Sequence, residues 1–305
     1  MSEENVEAGC ASCGVAKEVD DIKLKECTDC DLVRYCSVKC QKEHKLHHQQ
    51  ECKKRAAELH DEILFKQPEG THRGDCPICC LPLSLDSTKS IMTSCCCKVI
   101  CKGCAHANGS REREEKLGHS CPFCRKPVLS EKQLLGDRQM MKRVAANDPV
   151  AMRNYGIEQY EKGDYRSAFE YHVKAAELGD ADAKYELARL YEFGIGVEKD
   201  EGKAIHFLEE AAIGGHSSAR RTLGSIEWDN GNNERAVKHC IIAANLGDDD
   251  SIQLLMENFK RGFVSKDDLA AALRAHQAAV DATKSPQREA AEEYRRKMKK
   301  KKSSK

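Results

Sequence analysis

The clearest pattern of apolar and polar positions lies in the second half of the chain. From about residue 147, paired Ala, a Gly and a polar residue recur. They stand at Ala175-Ala176 with Gly179-Asp180, Ala211-Ala212 with Gly215-His216, and Ala243-Ala244 with Gly247-Asp248. A related junction, Ala145-Ala146-Asn147-Asp148, precedes them. From Asp148 to Asp180, His216 and Asp248 the successive intervals are 32, 36 and 32 residues. Each unit opens on a small residue (Ala151, Ala183, Ala219), passes an apolar position (Tyr155, Leu187, Leu223) and reaches an aromatic (Tyr160, Tyr191, Trp228). Gly163, Gly194 and Gly231 then mark a turn, and a second helix carries Ala168, Ala204 or Ala236. Two helices per repeat of roughly 34 residues, small where they face each other, predict antiparallel pairs stacked into an all-α solenoid over 147–280. A degenerate fourth unit starts at Ser251, and its second helix opens on the capping box Ser265-x-x-Asp268.

Composition changes the picture in the first half. The chain has 305 residues and 18 Cys, and all but Cys240 fall between Cys10 and Cys124. Lys plus Arg and Asp plus Glu both number 50, so the net charge is zero and says little about partners. No run approaches the ~18 to 20 apolar residues of a membrane helix, so no membrane partner is expected. The acidic start MSEENVEAG is unlike an export or transit signal. The expected setting is therefore intracellular, cytoplasmic or nuclear. In a reducing compartment, repeated C-x2-C pairs read as metal sites rather than disulfides. Between the two clusters, residues 53–75 read as a linker. Its short helix over Lys53–Lys66, with Ala56, Leu59, Ile63 and Leu64 apolar, ends at Pro68 and Gly70.

The repeat resembles the Sel-one-like branch of the tetratricopeptide-type repeats, best in the middle unit with its longer loop Gly194–Asp200. The first cluster, residues 10–52, runs Cys10-x2-Cys13, Cys27-x2-Cys30, Cys36-x3-Cys40 and His48-x3-Cys52. With Tyr35, Ser37 and Gln41, this order resembles the MYND zinc finger. The resemblance implies one zinc on Cys10, Cys13, Cys36 and Cys40, and a second on Cys27, Cys30, His48 and Cys52. His44 and His47 are read as solvated helix residues. The family usually has Trp where this chain has Lys45, on the surface associated with peptide binding. A zinc-stapled fold that binds an undefined protein partner is the reading this leaves.

The second cluster, residues 76–127, contains CPIC, CCCKVICKGC and CPFCRKP. It resembles a RING finger, another two-zinc cross-brace. The resemblance implies one zinc on Cys76, Cys79, Cys101 and Cys104. The other is held by Cys121, Cys124 and two of the triplet Cys95-Cys96-Cys97. Lys98 stands where the usual form has a ligating His, and an ammonium cannot bind zinc without losing its proton. Cys95 and Cys96 are the choice, with Cys97 the alternative. Cys80 is read as a surplus thiol and Cys240 as a small core residue.

All four predicted zinc ions have four protein ligands, so none is left open to activate water. A RING-type ubiquitin ligase needs no such site, because it acts by orienting a charged ubiquitin-conjugating enzyme. Ile78, Pro122 and Arg125 match that family's docking positions. The plain reading is that Ile78 and Pro122 shape zinc loops while Arg125 is a surface cation. Two functions follow: a zinc-dependent RING-type ligase whose solenoid and MYND finger recruit protein substrates, or a non-enzymatic adaptor. From Lys284 onward the chain is basic, with Arg295, Arg296, Lys297 and Lys299–Lys302 in one run. The run reads as a disordered, solvated tail over 284–305, or as a nuclear-import patch. It lacks interleaved aromatics and makes a weak case for nucleic acid. The architecture expected is multidomain: two small zinc-stabilised modules, then an all-α helical-repeat solenoid.

Overall fold

The computed structural model describes residues 9–13, 24–127 and 138–303. The chain divides into two compact units, Met1–Lys66 and Gln67–Lys305.

The first unit has almost no aliphatic core. Strands β1 (Lys25–Glu26) and β2 (Arg34–Tyr35) pair antiparallel, with Lys25 opposite Tyr35 and Glu26 opposite Arg34. Its buried cluster is Cys10, Cys27, Cys30, Tyr35 and Cys40. Helix α1 (Val38–Leu64) starts on Ser37, whose hydroxyl accepts from the Cys40 amide at 3.2 Å. The short helix expected at 53–66 is not separate, because α1 carries the finger's last ligands and runs on. Neither Gly nor Pro interrupts the sequence from Val38 to Leu64, and good helix formers continue the turn.

The second unit opens with the second cysteine cluster. Strands β3 (Ser90–Thr93) and β4 (Lys98–Cys101) form an antiparallel hairpin, with Ser90 opposite Cys101 and Thr93 opposite Lys98. Helix α2 (Lys102–Glu114) follows directly. Then come α3 (Arg138–Ala145), α4 (Pro149–Glu161), α5 (Tyr165–Glu177), α6 (Ala181–Phe193), α7 (Glu201–Ile213), α8 (Ser217–Asp229), α9 (Asn233–Asn245), α10 (Asp249–Lys260), α11 (Lys266–Ala282) and α12 (Pro286–Ser303). Helices α4 to α11 form four hairpins.

The recurring polar residue at each repeat junction is a helix cap. Asp148, Asp180, His216 and Asp248 accept from the amides of Ala151, Ala183, Ala219 and Ser251. The residue before each is left-handed, at φ 54° in Asn147 and 81–91° in Gly179, Gly215 and Gly247. One left-handed residue and one cap thus reverse the chain between repeats, which explains the Gly-polar spacing. The small residues are buried at the hairpin contacts: Ala151, Ala183 and Ala219 are fully covered. In the fourth unit Ser265 caps the helix by accepting from the Asp268 amide, and its hydroxyl donates to the Asp268 carboxylate in place of the backbone bond of a full capping box. Cys240 lies in the core with Ala244, Ile252 and Leu255.

The tail differs from the expected disordered segment. Pro286 to Ser303 is helical. Ser285 accepts from the Arg288 amide, Pro286 fits the first turn, and Glu292–Arg296 and Glu293–Lys297 pair one turn apart. Its first half packs on α2 of the second cysteine module.

Candidate metal centres

Among the described residues five groups of metal-binding side chains converge, each with all ligand atoms within 4.8 Å of one another, and four of them are built on cysteine. Cys10, Cys13, Cys36 and Cys40 form one, and Cys27, Cys30, His48 and Cys52 the second. In the second unit Cys76, Cys79, Cys101 and Cys104 meet, as do Cys95, Cys96, Cys121 and Cys124. The pairing is interleaved in both modules: first with third, second with fourth.

The donors fit zinc. Sulfur–sulfur distances of 3.5 Å (Cys13–Cys36), 3.8 Å (Cys27–Cys52), 3.9 Å (Cys76–Cys104) and 3.3 Å (Cys95–Cys124) lie near the edge of a zinc–thiolate tetrahedron, about 3.8 Å. They are far longer than a disulfide of about 2.05 Å. His48 presents Nε2 at 3.0 Å from Cys30 Sγ. One turn of α1 sets His48 and Cys52 on a common face. Amide groups support the sulfurs, with Cys101 N–H donating to Cys76 Sγ and Cys104 N–H to Cys101 Sγ, both at 3.4 Å. The protein binds zinc at several sites, and the donor sets accommodate four ions. Each set fills a tetrahedron, so the metal would brace the fold.

Backbone geometry that spacing does not reveal distinguishes the cysteines of the triplet. After the second cysteine of a zinc knuckle the chain turns left-handed: Asp31 after Cys30, Cys80 after Cys79, and Arg125 after Cys124, with φ of 54°, 54° and 61°. The amide of each left-handed residue bonds the carbonyl of the first cysteine, at 3.1, 2.8 and 2.9 Å respectively. Cys97 has φ 52° and bonds Thr93 O at 2.8 Å. Cys97 thus has the backbone geometry of the residue after a ligand, and Cys96 that of the ligand itself. Thr93 stands where the first cysteine belongs, its hydroxyl 3.0 Å from Cys96 Sγ, and Cys95 supplies the missing sulfur. Cys97 faces the solenoid instead, in one core with Val144, Ala151, Met152 and Leu187. Burial pushes its thiol up to about 11, which keeps the sulfur protonated.

Other sequence-predicted residues fall out as follows. Ile78 and Arg125 are exposed and Pro122 is half-buried, beside an exposed Phe123. Lys98 starts β4 with its side chain in solvent. Cys80 is exposed. His47 is exposed, but His44 is half-buried and hydrogen-bonds the Tyr35 hydroxyl at 3.1 Å, so it is not merely solvated. Sequence reading also missed Glu112. Its buried carboxylate accepts from the Ser120 amide and hydroxyl, Asn108 and His119, tying α2 to the last zinc knuckle. Burial alone would raise this carboxyl, but those hydrogen bonds outweigh it and hold it at about 2.

A second group missed in the sequence is His72, Asp182 and His216. Asp182 Oδ1 lies 3.2 Å from His72 Nε2 and 3.4 Å from His216 Nε2, and its Oδ2 meets Arg153 at 3.2 Å. The two imidazoles stack at 4.2 Å, nearly parallel. Imidazoles converging on one ion at about 2.0–2.1 Å would hold their centroids roughly 5 Å apart. His216 Nδ1 already accepts from the Ala219 amide, which leaves the proton on Nε2. This group is a hydrogen-bonded clasp rather than a metal centre. It fastens the segment before Cys76 to the second repeat, helped by His72 N–H bonding Gly215 O at 3.1 Å. Burial alone would raise the Asp182 carboxyl. Hydrogen bonds from His216 and His72, with the Arg153 charge, hold it well below the usual carboxylate range.

Among the described residues no helix is long and apolar enough to cross a membrane. Residues 10–52 match the profile of the MYND finger, and residues 149–180, 181–216 and 224–248 match the Sel1 repeat. A mouse (Mus musculus) protein, DAP3-binding cell death enhancer 1, is 26% identical over 225 residues, covering 61% of this chain and 42% of its own. The chain thus spans less than half the length of that relative. Two solved structures are similar over about half the chain. A Sel1 repeat protein of Oxalobacter formigenes has TM-score 0.40 and 27% identity, covering 48% of this chain and 63% of its own. The protective antigen c5321 of uropathogenic Escherichia coli, which displays an SLR fold, has TM-score 0.40 and 24% identity, covering 49% and 34%. The chain carries a MYND finger, a second cysteine-rich zinc module and a Sel1-repeat solenoid, the make-up of a zinc-binding protein-interaction adaptor.

Proposed function

We propose that the second zinc module is a RING-type ubiquitin-ligase centre, and that the solenoid and the MYND finger recruit the protein to be modified. The observation that carries this reading is the interleaved pair of four-cysteine groups with Ile78, Phe123 and Arg125 left exposed around them. Zinc would supply shape alone, since its four positions are filled by protein. Ile78 and Pro122 would seat a conjugating enzyme. The Arg125 guanidinium, set outward by its left-handed backbone, would bridge that enzyme and its ubiquitin through its planar fork. Catalysis would come from holding the thioester in a reactive pose. Unoxidised thiolate-rich sites of this kind are common in reducing compartments, which supports a cytoplasmic or nuclear setting.

The adaptor reading without ligase activity is favoured by a different observation. The second module shares a core with the solenoid through Cys97 and is clasped to it through His72. A rigid scaffold needs such joints. The test is autoubiquitination by zinc-loaded protein with a panel of conjugating enzymes, comparing wild type with Ile78→Ala and Arg125→Ala. Product that falls in both variants supports the ligase. Absence of product with every enzyme leaves the adaptor. Undiminished product in the variants removes these docking residues while keeping the activity.

A further inference from the structure

A zinc ion held by four thiolates carries a net charge of −2, and burying that charge is expensive unless donors and cations face the sulfurs. The group Cys76, Cys79, Cys101 and Cys104 is deeply placed, with Cys76 at 0% and Cys101 at 2% exposure. One cation reaches it from 209 residues away in sequence. Arg288, in the first turn of α12, donates from Nη2 to Cys79 Sγ at 3.4 Å and to Leu81 O at 3.0 Å. Its Nη1 donates to Pro82 O at 2.6 Å and to Thr283 O at 2.7 Å. The fork therefore grips both the zinc loop and its own helix start.

The zinc loop is shaped to receive it. Gly103 lies between the ligands Cys101 and Cys104, and a Cβ there would stand 2.8 Å from Arg288 Cγ and 2.9 Å from its backbone nitrogen. The missing side chain is the space that α12 occupies. Further along, Tyr294 packs on His106 at 5.0 Å between centroids, and Arg295 donates to the Thr88 carbonyl at 3.3 Å. Lys89 pairs with Glu292 at 3.6 Å. Ile78 and Phe123 stay exposed with α12 in place, so this contact leaves the proposed docking residues free.

We infer that Arg288 is a positioning residue of the Cys76/Cys79/Cys101/Cys104 zinc site, a charge-balancing partner of Cys79 delivered by α12 through the opening at Gly103. The second zinc module is then incomplete without the last helix, and metal and helix hold each other in place, as reciprocity of coupling requires. This inference does not depend on ligase activity.

The test is chelator-driven zinc release from the full-length, zinc-loaded chain, followed with a chromogenic chelator. Comparable second-sphere partners change metal affinity by roughly 10- to 100-fold. Arg288→Gln keeps a donor but removes the charge, and should loosen one ion per chain by that factor. Arg288→Lys should recover much of the retention. Gly103→Ala, a wedge against α12 that leaves every ligand and the charge intact, should loosen the same ion. Combined with Arg288→Gln it should add little. In cobalt-substituted protein the thiolate-to-metal charge-transfer band should move in Arg288→Gln and return in Arg288→Lys. Wild-type retention in both Arg288→Gln and Gly103→Ala overturns the inference. Equal loss in Arg288→Gln and Arg288→Lys overturns its electrostatic part, and fully additive effects of the two sites show that they act separately.

Discussion

The zinc modules and the solenoid reach order by opposite routes. In the first unit the buried cluster is four cysteines and one tyrosine, too little apolar surface to offset chain entropy at about 1–2 kcal/mol per residue. Metal has to supply the difference. In the solenoid each repeat buries small residues and aliphatics, such as Ala183 and Leu187 at 0% exposure, against its neighbours, and the helices stand without a metal. The lesson is that cysteine and alanine, both small, mark two different sources of stability in one chain. The second cysteine module sits between these cases: it has a metal-ligand set and also a Leu83–Ile100 core.

Removing metal tests this contrast most strongly. Structural zinc contributes apparent folding free energies of about 10–16 kcal/mol. Chelation should therefore unfold residues 10–52 and 76–127 while circular dichroism retains the solenoid's helices. Metal analysis beforehand should give four zinc ions per chain, and two would mean that one module is misassigned.

The solenoid should respond to the opposite change. Leu187→Ala opens a cavity at a fully buried site and should lower stability by about 2–5 kcal/mol in denaturant unfolding. Zinc stoichiometry should stay unchanged. Loss of zinc in this variant would show that the two routes are not separate.

Acid sharpens the comparison within the solenoid. His172 lies on α5 against Gly156, and its Nδ1 finds no hydrogen-bond partner among the described residues. Burial first, and then the nearby Arg153 charge, push its imidazole down to about 4. The folded state thus keeps it neutral where the unfolded chain is protonated. Its contribution is whole above about pH 6.5 and is lost as pH falls toward 4, by up to about 3 kcal/mol. Solenoid stability measured across that window should slope downward in wild type and flatten in His172→Leu, which installs the residue found at the matching Leu208. An identical slope in both proteins would remove His172 as the cause.

The smallest change separates neighbouring sulfurs. Cys96→Ser should lose one zinc. Cys97→Ser should keep all four and instead destabilise the first repeat by about 1–3 kcal/mol, the penalty of burying a hydroxyl in an apolar cluster. The reverse result would exchange their roles.

Much of the fold was legible because its signals are chemical. Only Gly or Asn readily supplies the left-handed residue at a repeat junction, and only Asp, His or a similar acceptor caps the next helix. The periodicity is therefore written in residue types. The interleaved metal groups were less accessible. Spacing proposed Cys95 and Cys96, but the left-handed residue after a knuckle is Asp, Cys, Cys or Arg in this chain, so no residue type marks it. Thr93 in a cysteine's place removes the C-x2-C spacing from that knuckle. The length of α1 was readable in principle, from the absence of any breaker after the finger. The α12 helix was masked by its charge: Ser285, Pro286 and Glu289 start a helix, but the basic run that follows has the composition of a solvated tail. His72, Glu112 and Arg288 lack any local motif. Their partners lie 110, 8 and 209 residues away along the chain.

The placement of Arg288 has a consequence for how the chain is made. Domains generally fold as units during synthesis, at roughly 5–20 residues per second. The 209 residues that separate Arg288 from Cys79 then represent about 10–40 s of elongation. The finger at 10–52 has its whole ligand set once Cys52 has emerged. In the second module, by contrast, Cys97 gains its core neighbours only when residues 144–190 have emerged, and Gly103 faces an empty groove until α12 arrives. A nascent chain that stalls in the repeats would carry this zinc loop without the Arg288 fork that grips it.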